Sequence, residues 1–584
     1  MSKLSALQAA QTLDDFAVIL GISTKSLISA LYKTPEASKY KTFDILKKNG
    51  NPRTIHAPVG KLKIYQRVLS DLLYDCAAEL ELATPRKPLS HGFRKDRSII
   101  TNASQHKNRR YVLNLDLEDF FPTFNFGRVR GFFIKDQGFA LKPECATIIA
   151  QIACFQGALP QGSPCSPIIA ELIAHILDLR LVRFAKSHGV NYSRYADDLT
   201  FSTNEKIFPV ALATGGDPAG TPWTLSKPLI DHITSTGFVI NAAKTRVAVK
   251  ASRQSVTGLT VNEKVNISQP YWRGVRSMCR ALFQTGSYFK SGTLPGADPQ
   301  LLTSTLALRG VLAHVQHVKS TSPIKPTPPA KTKFFGQRLH KDFHFFDKFV
   351  VLDRPLIITE GKTDPVYLRN AIRHLTAYQP ALGYLTPKEF SYRVAFYNYE
   401  NTITQTLGIE GGFGDLISFA RGYSAQLNRY AFKPLAHPVI ILIDNDEALT
   451  KFAPTLSAVF HTTVSLATAQ LFYRLTDNLY LVKTPEIGTG GKSCIEDLFD
   501  AKTQKIPLQS KVFHADEKTF DVTKHLGKVD FAKKVIAAHA AAISWTGFDP
   551  MLARIAAVIA DYTPPASTKP APAAPSGATT TPPP

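Results

Sequence analysis

YSRYADDLTFS, residues Tyr192 to Ser202, places two adjacent carboxylates, Asp197 and Asp198, between alternating aromatic and β-branched residues. This alternation predicts two strands joined by a tight hairpin turn. Adjacent acids repel each other and cost stability unless a cation neutralises them. Mg²⁺ is the usual cation at oxygen ligands, and a phosphate usually accompanies it. An acidic surface turn would explain a bare pair of aspartates, but the apolar flanks and a second acid upstream favour a metal site.

Composition bounds the size and the partners of the chain. Its 584 residues, 44% hydrophobic and 20% charged, are typical of a soluble globular protein with two or three domains. The net charge of +23 indicates a polyanionic partner, most simply nucleic acid, with an anionic membrane surface as the alternative. No apolar run is long enough to span a bilayer and the N-terminus lacks a signal-peptide pattern, so we expect a cytoplasmic protein without a membrane partner.

The cysteines and one histidine pair were considered as metal ligands. The six cysteines are scattered without paired spacing, which predicts reduced, buried thiols rather than disulfides or a zinc site. His340 and His344 are four residues apart on a probable helix and could ligate a metal. No third ligand lies nearby in sequence, so an ordinary amphipathic face is the simpler interpretation.

Three segments of turn-forming composition divide the chain. Thr214 to Pro222 predicts a surface insertion, the basic, Pro-rich segment Lys319 to Lys333 predicts an interdomain linker, and Thr563 to Pro584 predicts a disordered tail. Before the linker, the patterns predict helices from about Lys61 to Glu81 and from Pro164 to Ala185. After it, strand-like runs alternate with helical segments, which indicates an α/β domain with a mostly parallel sheet.

A third acid completes a possible metal site with the hairpin. Asp116 ends the buried-strand pattern YVLNLDL. Phosphoryl transfer by two metals requires carboxylates from separate strands to converge on two Mg²⁺ ions, so Asp116, Asp197 and Asp198 form the minimal set of a palm-type polymerase. Phe121, five residues after Asp116, could sit beneath the sugar of an incoming nucleotide and exclude a 2′-hydroxyl. Core packing is the alternative, and it explains at least one of Phe120 and Phe121.

From about residue 45 to 315 the sequence resembles reverse transcriptases. The LPQGSP segment is similar to the family's nucleotide-pocket loop, which implies that Gln161 contacts the incoming dNTP. The GFVINAAKT segment matches the motif after the catalytic hairpin, whose lysine, here Lys244, lies near the departing pyrophosphate. Arg53 and Arg94 match the fingers, which use basic residues on triphosphate and template.

Two further motifs are similar to those of retron reverse transcriptases. They are the NAxxH element, with Asn102 and His106, and the VTG element, Val256 to Gly258. The resemblance implies an enzyme that copies a structured noncoding RNA into a short DNA, which stays joined to that RNA through a guanosine 2′-hydroxyl. It implies Mg²⁺, or alternatively Mn²⁺, as cofactor. Asn102 and His106 could contact RNA, or they could be satisfied within the fold.

A second group of acids lies beyond the linker. Glu360 follows the apolar run PLIIT, while Asp444 and Asp446 follow VIILI. Acids at strand ends in an open α/β sheet lie at its carboxyl edge, where such sheets bind ligands. These three could therefore converge on a divalent metal.

The second group resembles a Toprim domain, and its EGxxD spacing, which adds Asp364, is similar to that of OLD-type nucleases. This resemblance implies that Glu360, Asp364, Asp444 and Asp446 hold metal. The KSCIED segment offers Glu496 as a late acid ligand and Lys492 for transition-state charge. Two later acids, Asp497 and Asp500, could replace Glu496.

Together the resemblances imply an α+β right-hand polymerase with fingers, palm and thumb, followed by an α/β Toprim domain with a mostly parallel sheet. The predicted divisions are an N-terminal helical region (1–45), fingers and palm (46–267), thumb (268–318), linker and connecting helix (319–349), Toprim domain (350–562) and disordered tail (563–584).

This fusion implies an anti-phage system in which the RNA–DNA product restrains a nuclease. The expected partners are the cognate noncoding RNA and its DNA product, dNTPs and a nucleic-acid target. The chain could also self-assemble into a homo-oligomer. Three alternatives remain. The first body could be an RNA-binding, maturase-like scaffold, the second could be only a docking module, or the second could be a Toprim scaffold without activity.

Overall fold

The chain divides into two compact units, neither of them continuous in sequence. The computed structural model describes residues 2–47, 50–83, 89–216, 222–290, 300–321, 336–399, 402–487, 489–515 and 519–566. Among these, the first unit contains the residues up to Arg273 together with 313–321, and the second contains 274–290, 300–312 and the residues from 336 onward. Most of the predicted linker, the tip of the predicted insertion and nearly all of the predicted tail lie outside the described residues.

The first unit contains the fingers-like hairpin and the sheet that carries the YADD segment. Its strands are β1 (Tyr40–Leu46), β2 (Pro52–Pro58), β3 (Tyr111–Asp116), β4 (Asn191–Tyr195), β5 (Asp198–Thr203), β6 (Ala213–Thr214), β7 (Thr224–Leu225), β8 (Arg246–Val249), β9 (Ser255–Val256) and β10 (Leu259–Thr260). Its helices are α1 (Lys3–Ala9), α2 (Leu13–Ile19), α3 (Thr24–Ile28), α4 (Gly60–Ala83), α5 (Ile99–Gln105), α6 (Phe126–Lys135), α7 (Pro143–Ala153), α8 (Ser166–Ser187) and α9 (Lys227–Thr234).

The palm sheet has the strand order β4-β5-β3-β8, and every pair in it is antiparallel. Its β-branched and aromatic residues alternate as strands require, and Val112, Leu199 and Phe201 are buried. Helices α4, α7 and α8 supply much of the apolar core that lies with this sheet. The strand ends that carry the acids are therefore supported by a well-packed apolar core.

The β1–β2 hairpin extends from this core with most of β1 exposed. Its second strand is joined to the LPQGSP loop, because the His56 backbone N–H donates to the Gln161 carbonyl at 2.8 Å. Gly162 in that loop has φ of +115°, and a Cβ there would lie 2.9 Å from the His56 carbonyl oxygen. A glycine is required at this close approach.

The second unit is built on a five-stranded sheet. Its strands are β11 (Tyr288–Phe289), β12 (Leu301–Leu302), β13 (Leu356–Thr359), β14 (Gly383–Leu385), β15 (Phe390–Tyr392), β16 (Ala395–Phe396), β17 (Val439–Ile443), β18 (Tyr473–Thr476), β19 (Leu479–Lys483), β20 (Val512–Phe513) and β21 (His525–Leu526). The helices that cross into it are α10 (Gln269–Thr285) and α11 (Leu306–Ser320), and those within it are α12 (Gln337–Phe345), α13 (Asp364–His374), α14 (Gln379–Leu382), α15 (Thr402–Leu407), α16 (Phe413–Leu427), α17 (Glu447–Phe460), α18 (Ala501–Gln504), α19 (Lys528–Asp530), α20 (Ala537–His539) and α21 (Asp549–Asp561).

In this sheet the strand order is β16-β13-β17-β19-β18. The first three pairs are parallel and the last is antiparallel. Strands β13, β17 and β19 are buried along their whole lengths, as a sheet covered on both faces requires. The carboxyl ends of β13 and β17 therefore lie side by side.

The described residues also form short π-helical and 3₁₀-helical segments. The π-helical segments are Ser29–Lys33, Phe346–Val350 and Phe531–Ile536. The short 3₁₀ segments are Glu36–Ser38, Ala242–Lys244, Thr376–Tyr378, Thr489–Gly491, Ile495–Leu498 and Thr546–Phe548.

The helical region predicted as a thumb, 268–318, does not belong to one unit. Residues 274–290 and 300–312 cluster with the second unit. Within that unit, the Phe283 ring contacts Phe346 and Tyr430 with centroids 5.2 and 5.1 Å apart, and Arg309 Nη2 donates to both carboxylate oxygens of Asp347 at 2.7 and 2.8 Å. A boundary placed at the Pro-rich linker misses these contacts, because they join segments far apart in sequence.

All six cysteines are described and none forms a disulfide; four are buried, and Cys154 and Cys494 are half-buried. Among the helices that the structure describes, none is by itself long and apolar enough to cross a membrane. One bent pair, Leu13–Ile19 with Thr24–Lys33 at 104°, meets the criteria of length and composition.

Candidate active sites

The palm sheet brings the three predicted polymerase acids together. Asp116 ends β3 directly opposite Asp198, the first residue of β5. Asp197 lies in the two-residue turn between β4 and β5, and its carbonyl accepts a hydrogen bond from the Leu117 N–H at 3.0 Å. Antiparallel register thus sets two carboxylates side by side and ties the third to the same strand end.

Lys244 holds one of these acids. Its Nζ donates to both carboxylate oxygens of Asp116 at 2.9 Å, and the hydrogen bond raises the pKa of Lys244. The backbone N–H of Asn241, three residues earlier, donates to the Asp116 carbonyl at 2.8 Å. The GFVINAAKT segment therefore reaches the acids, as its order along the chain predicted.

Burial and mutual repulsion make the hairpin acids unfavourable as free carboxylates. Burial, followed by the charges of Asp197 and Asp116, raises the pKa of Asp198 to about 6. Burial also raises the pKa of Asp197, although Lys244 and Arg53 partly offset the effect. A divalent cation would relieve both penalties, so this donor set fits the Mg²⁺ that the sequence implies.

The turn that carries Asp197 is held from outside by a segment that sequence reasoning did not assign. The His91 N–H donates to the Arg194 carbonyl at 2.7 Å. A Cβ on Gly92 would lie 2.5 Å from the backbone nitrogen of Ala196. Ala196 itself has φ of +55°, which a two-residue hairpin turn requires. Because Gly92 has no side chain, the HGF segment, His91 to Phe93, can lie directly on the catalytic turn.

Arg194, inside the YADD motif's own strand, is the second feature that sequence reasoning missed. Its side chain is fully buried and donates to Asp178 at 2.8 Å, to Glu171 at 2.7 Å and to the Ala196 carbonyl at 3.0 Å. The Tyr192 hydroxyl donates to Asp178 at 2.7 Å. An arginine between two buried acids on α8 therefore anchors the turn from inside.

The predicted nucleotide contacts lie in the same unit. Phe120 is buried, whereas Phe121 is half-buried with its ring 6.0 Å from that of Phe93. Core packing explains Phe120. Phe121 also packs partly against this core, so its contact with the sugar stays a prediction. Gln161 is half-buried beside β2, and Arg53 on β2 acts electrostatically on Asp197.

Arg94 does not point to the acids. Its guanidinium pairs with Glu81 at the end of α4, and it lines a cavity of about 900 Å³ between α4, α6 and α8. None of the palm acids lines that cavity. In this structure the Arg94 guanidinium is bonded to Glu81, so its contact with triphosphate or template stays a prediction.

Asn102 and His106 are fully buried. His106 Nδ1 lies 2.7 Å from Ser202 Oγ, and His106 Nε2 lies 2.7 Å from Ser193 Oγ. The Ser193 hydroxyl donates to Asn102 Oδ1 at 2.5 Å. Burial of both side chains gives no support to a direct RNA contact. Both ring nitrogens of His106 are bonded within the fold, whereas Asn102 Nδ2 is buried without a hydrogen-bond partner.

In the second unit, the acids that end neighbouring parallel strands meet. Glu360 follows β13, and its Oε2 accepts a hydrogen bond from the backbone N–H of Asp444, which follows β17, at 3.2 Å. Burial, followed by the charges of Asp364, Glu360 and Glu496, raises the pKa of Asp444 to about 8. Burial likewise raises the pKa of Asp364 to about 6 and raises that of Glu360.

Among the three candidates for the late acid, Glu496 is the buried one. Its Oε2 accepts a hydrogen bond from Lys528 Nζ at 3.1 Å, and its Oε1 is buried without a partner. Asp497 and Asp500 instead accept backbone N–H bonds at the starts of short helical turns. A buried, unpartnered carboxylate oxygen beside Asp364 and Asp444 fits a cation there.

Lys492 does not serve the acid group, because its Nζ pairs with the exposed Glu447 at 3.0 Å. Lys528, which sequence reasoning missed, takes that position: burial opposes its charge, but Glu496 raises the pKa of Lys528. No signal marked this lysine, since it comes long after the motif in an unremarkable basic segment.

In the segment Asp444-Asn445-Asp446, the middle side chain is buried and the two aspartates are less so. Asn445 is fully buried and its Nδ2 donates to the Leu466 carbonyl at 2.9 Å, while its backbone N–H donates to Thr484 Oγ1 at 2.8 Å. Asp446 is the N-cap of α17, and its Oδ1 accepts a hydrogen bond from the Ala448 N–H at 2.8 Å. Its charge contributes to the raised pKa of Glu360. Asn445 therefore anchors the loop that presents the two aspartates.

His340 and His344 are buried with their rings 6.2 Å apart, and burial lowers the pKa of each to about 4. Within the described ranges, no three histidine, cysteine, aspartate or glutamate side chains are already arranged closely enough to hold an ion. The histidine pair is therefore a packed helix face, and the two acid groups would need to close around a metal.

Comparison with known proteins bears on the first unit. Residues 45–261 match the family model described as reverse transcriptase (RNA-dependent DNA polymerase). The Ec86 retron reverse transcriptase of Escherichia coli is 33% identical over 46% of this chain and 78% of its own length. The Mx65 and Mx162 retron reverse transcriptases of Myxococcus xanthus are 34% and 33% identical, over 46% and 58% of this chain and 62% and 67% of their own lengths.

Proposed function

This chain belongs to the family of retron reverse transcriptases, and we propose that it copies a cognate structured RNA into DNA that remains joined to that RNA. The observation that supports this most directly is the geometry of the palm acids. Asp116 and Asp198 are register partners, and Asp197 is tied to the same strand end.

Different side chains would have different roles in nucleotide addition. Asp116, Asp197 and Asp198 would hold the divalent metal ions, which supply activation of the attacking hydroxyl and neutralise phosphate charge. Lys244, whose Nζ bonds Asp116, would contact the departing pyrophosphate. Phe121 and Gln161 would select and orient the dNTP.

The test replaces both hairpin acids. Asp197→Asn with Asp198→Asn should reduce dNTP incorporation on a primed RNA by about a thousandfold, since several kcal/mol of metal-dependent stabilisation would be lost. Asp231→Asn, an exposed acid paired only with Lys227, is the matched control. An RNA-binding scaffold would retain its biological effect in the double variant, and that outcome would refute the polymerase proposal.

We further propose that the second unit is a metal-dependent nuclease of Toprim type. The supporting observation is that Asp364 and Glu496 are buried and Glu360 and Asp444 are half-buried in one group, with raised pKa values at three of them and an unpartnered oxygen on the fourth. Such a group of acids costs stability, which a bound divalent cation would offset in addition to Lys528.

Glu360→Gln tests this second activity. The variant should lose Mg²⁺- or Mn²⁺-dependent cleavage of single- and double-stranded DNA and RNA while DNA synthesis continues. Glu447→Gln is the control, because Glu447 is an exposed acid bonded to Lys492. Cleavage that persists in Glu360→Gln would show that this acid group does not catalyse it. Absence of cleavage by the wild-type protein would instead favour the docking-module or inactive-scaffold alternative.

The fusion suggests that the DNA product restrains the nuclease until phage infection disturbs it. The expected result is toxicity when the bound DNA is degraded in cells, and this toxicity should require Glu360. Purified protein should also carry DNA branched from RNA, which sequencing of its bound nucleic acid would identify.

A further inference from the structure

The acid-bearing face of the palm sheet continues beyond the acids as a polar stripe. Asp198, Thr200 and Ser202 lie on one face of β5, because side chains alternate along a strand. Ser193 pairs with Thr200 and therefore shares that face. Four residues separate Asp198 from Ser202, a distance of about 13 Å along the strand. The stripe thus leads from the metal-binding end of the hairpin to its far end.

His106 joins the two strands of the hairpin across this stripe. It is fully buried and bonds Ser202 on β5 through Nδ1 and Ser193 on β4 through Nε2, both at 2.7 Å. Asn102, one turn earlier on α5, bonds the same Ser193 hydroxyl at 2.5 Å. A single helix therefore fixes both strands that lead into the Tyr-Ala-Asp-Asp turn.

The directions of these hydrogen bonds are determined. Ser193 donates its only hydroxyl hydrogen to Asn102 Oδ1, so it must accept from His106 Nε2–H. The neutral ring then accepts at Nδ1 from the Ser202 hydroxyl. Burial, followed by Arg109 and His91, lowers the pKa of His106 to about 3, so the ring stays neutral at physiological pH. His106 therefore donates through Nε2 and accepts through Nδ1.

The VTG element supports the same helix. Thr257 Oγ1 donates to the carbonyl of Ile99, the first residue of α5, at 3.0 Å. The Asn108 N–H, just after α5, donates to the Val261 carbonyl at 2.9 Å. From the sheet side, Asn114 Nδ2 donates to the Ser255 carbonyl at 3.1 Å. The hairpin β9–β10 is therefore bonded both to the helix and to the strand that carries Asp116.

We propose that the NAxxH and VTG elements together form a brace that positions the catalytic hairpin, with His106 as its central positioning residue. This inference rests on the proposed polymerase function. Asn102 and His106 act from inside the fold, because neither has exposed surface with which to touch RNA. The brace sets the spacing of β4 and β5, and through it the placement of Asp197 and Asp198 against Asp116.

Kinetics of the full-length protein test the brace. His106→Ala should lower the kcat of dNTP incorporation about 10- to 100-fold, the usual effect of a displacement near 1 Å in catalytic groups. It should also raise the Mg²⁺ concentration for half-maximal rate several-fold, because misplaced carboxylates close less well around metal. The Kd for the primed RNA should stay within about twofold of the wild-type value, since the residue makes no RNA contact.

Matched variants separate positioning from general damage. Ser104→Ala alters the same helix, but Ser104 Oγ bonds only the Ile100 carbonyl one turn away, so its Mg²⁺ dependence should match the wild type. Ser193→Ala and Ser202→Ala each remove one hydroxyl from the chain of bonds, and each should reproduce part of the Mg²⁺ shift. These two variants keep the test decisive if His106→Ala does not fold.

The experiment distinguishes failure of the brace proposal from failure of the polymerase proposal. If the wild-type protein incorporates no dNTP on any primed RNA, the proposed function is wrong. If the wild type is active but His106→Ala, Ser193→Ala and Ser202→Ala lose RNA affinity at unchanged kcat and Mg²⁺ dependence, the brace is wrong and the motif contacts RNA. A shift in Mg²⁺ dependence of the same size in Ser104→Ala would also contradict the brace proposal.

Discussion

At the scale of single residues, the interior of the palm is governed by charge. Arg194 is fully buried between Glu171 and Asp178, and it also holds the Ala196 carbonyl. An arginine is suited to this position because its planar guanidinium satisfies two carboxylates and a carbonyl at once. Its removal would leave two uncompensated acids in the core.

Arg194→Met should therefore lower the free energy of unfolding by about 3 to 5 kcal/mol. Urea unfolding followed by circular dichroism measures the loss. Lys227→Met, which removes the exposed partner of Asp231, should cost less than about 1 kcal/mol. Equal losses in the two variants would show that the buried group contributes no more than a surface pair.

The buried imidazole of His106 also makes stability depend on pH. Its folded pKa of about 3 lies below the ordinary value of 6.5, so between these values the unfolded chain binds a proton that the folded chain does not. This contribution to stability is present above pH 6.5 and is lost as pH falls. From pH 7 to pH 5, wild-type protein should lose about 2 kcal/mol more than His106→Gln. A loss of the same size in both would contradict a neutral buried ring.

At the scale of elements, local patterns were sufficient for the hairpin and the long helices. The alternation around Asp197 predicted β4 and β5, and the segments predicted as helices at 61–81 and 164–185 fold as α4 and α8, displaced by only one or two residues. These elements follow from period and turn chemistry within one stretch of chain. The register that places Asp116 beside Asp198 could not be predicted from these local patterns, because it depends on which strands pair in the folded sheet.

What sequence reasoning missed depends on contacts between distant segments. Gly92 meets the turn at Ala196, and Lys528 meets Glu496, yet neither pair has any local pattern. The ion pairs of Arg94 with Glu81 and of Lys492 with Glu447 likewise have no local pattern that would predict them. A charged residue's role is set by its nearest opposite charge, which the order of residues does not reveal.

Gly92→Ala tests the close approach of the HGF segment to the catalytic turn. The added Cβ would lie 2.5 Å from a backbone nitrogen, so the turn itself must move. We expect dNTP incorporation to fall about 10- to 100-fold. Gly131→Ala on α6 is the control, because its Cβ would meet nothing within 4 Å and alanine favours the helix. Wild-type rates in Gly92→Ala would show that the turn tolerates displacement.

At the scale of the whole molecule, the net charge of +23 and the two acid groups suit a protein that acts on nucleic acid with divalent metals. The division into units is less simple than the Pro-rich linker predicted. Residues 274–290 and 300–312 pack within the second unit through Phe283 and Arg309.

A fragment that begins at residue 336 should therefore fold poorly. It would expose the faces of Phe346 and Tyr430 that Phe283 covers and would leave the buried Asp347 without Arg309. A fragment that begins at residue 274 keeps these partners and should give a cooperative thermal transition and a monodisperse elution profile. A stable, cooperative fragment from 336 alone would show that the predicted boundary was adequate.

The interleaving of the chain also constrains how such a protein could be remodelled by recombination. A crossover in the Pro-rich segment would separate Phe283 and Arg309 from the aromatic and acidic residues that they contact. The second unit could be exchanged intact only with a breakpoint near residue 273, inside α10, or together with a replacement for those helices. Residues 274–290 and 300–312 therefore have to be transferred with the second unit rather than with the first.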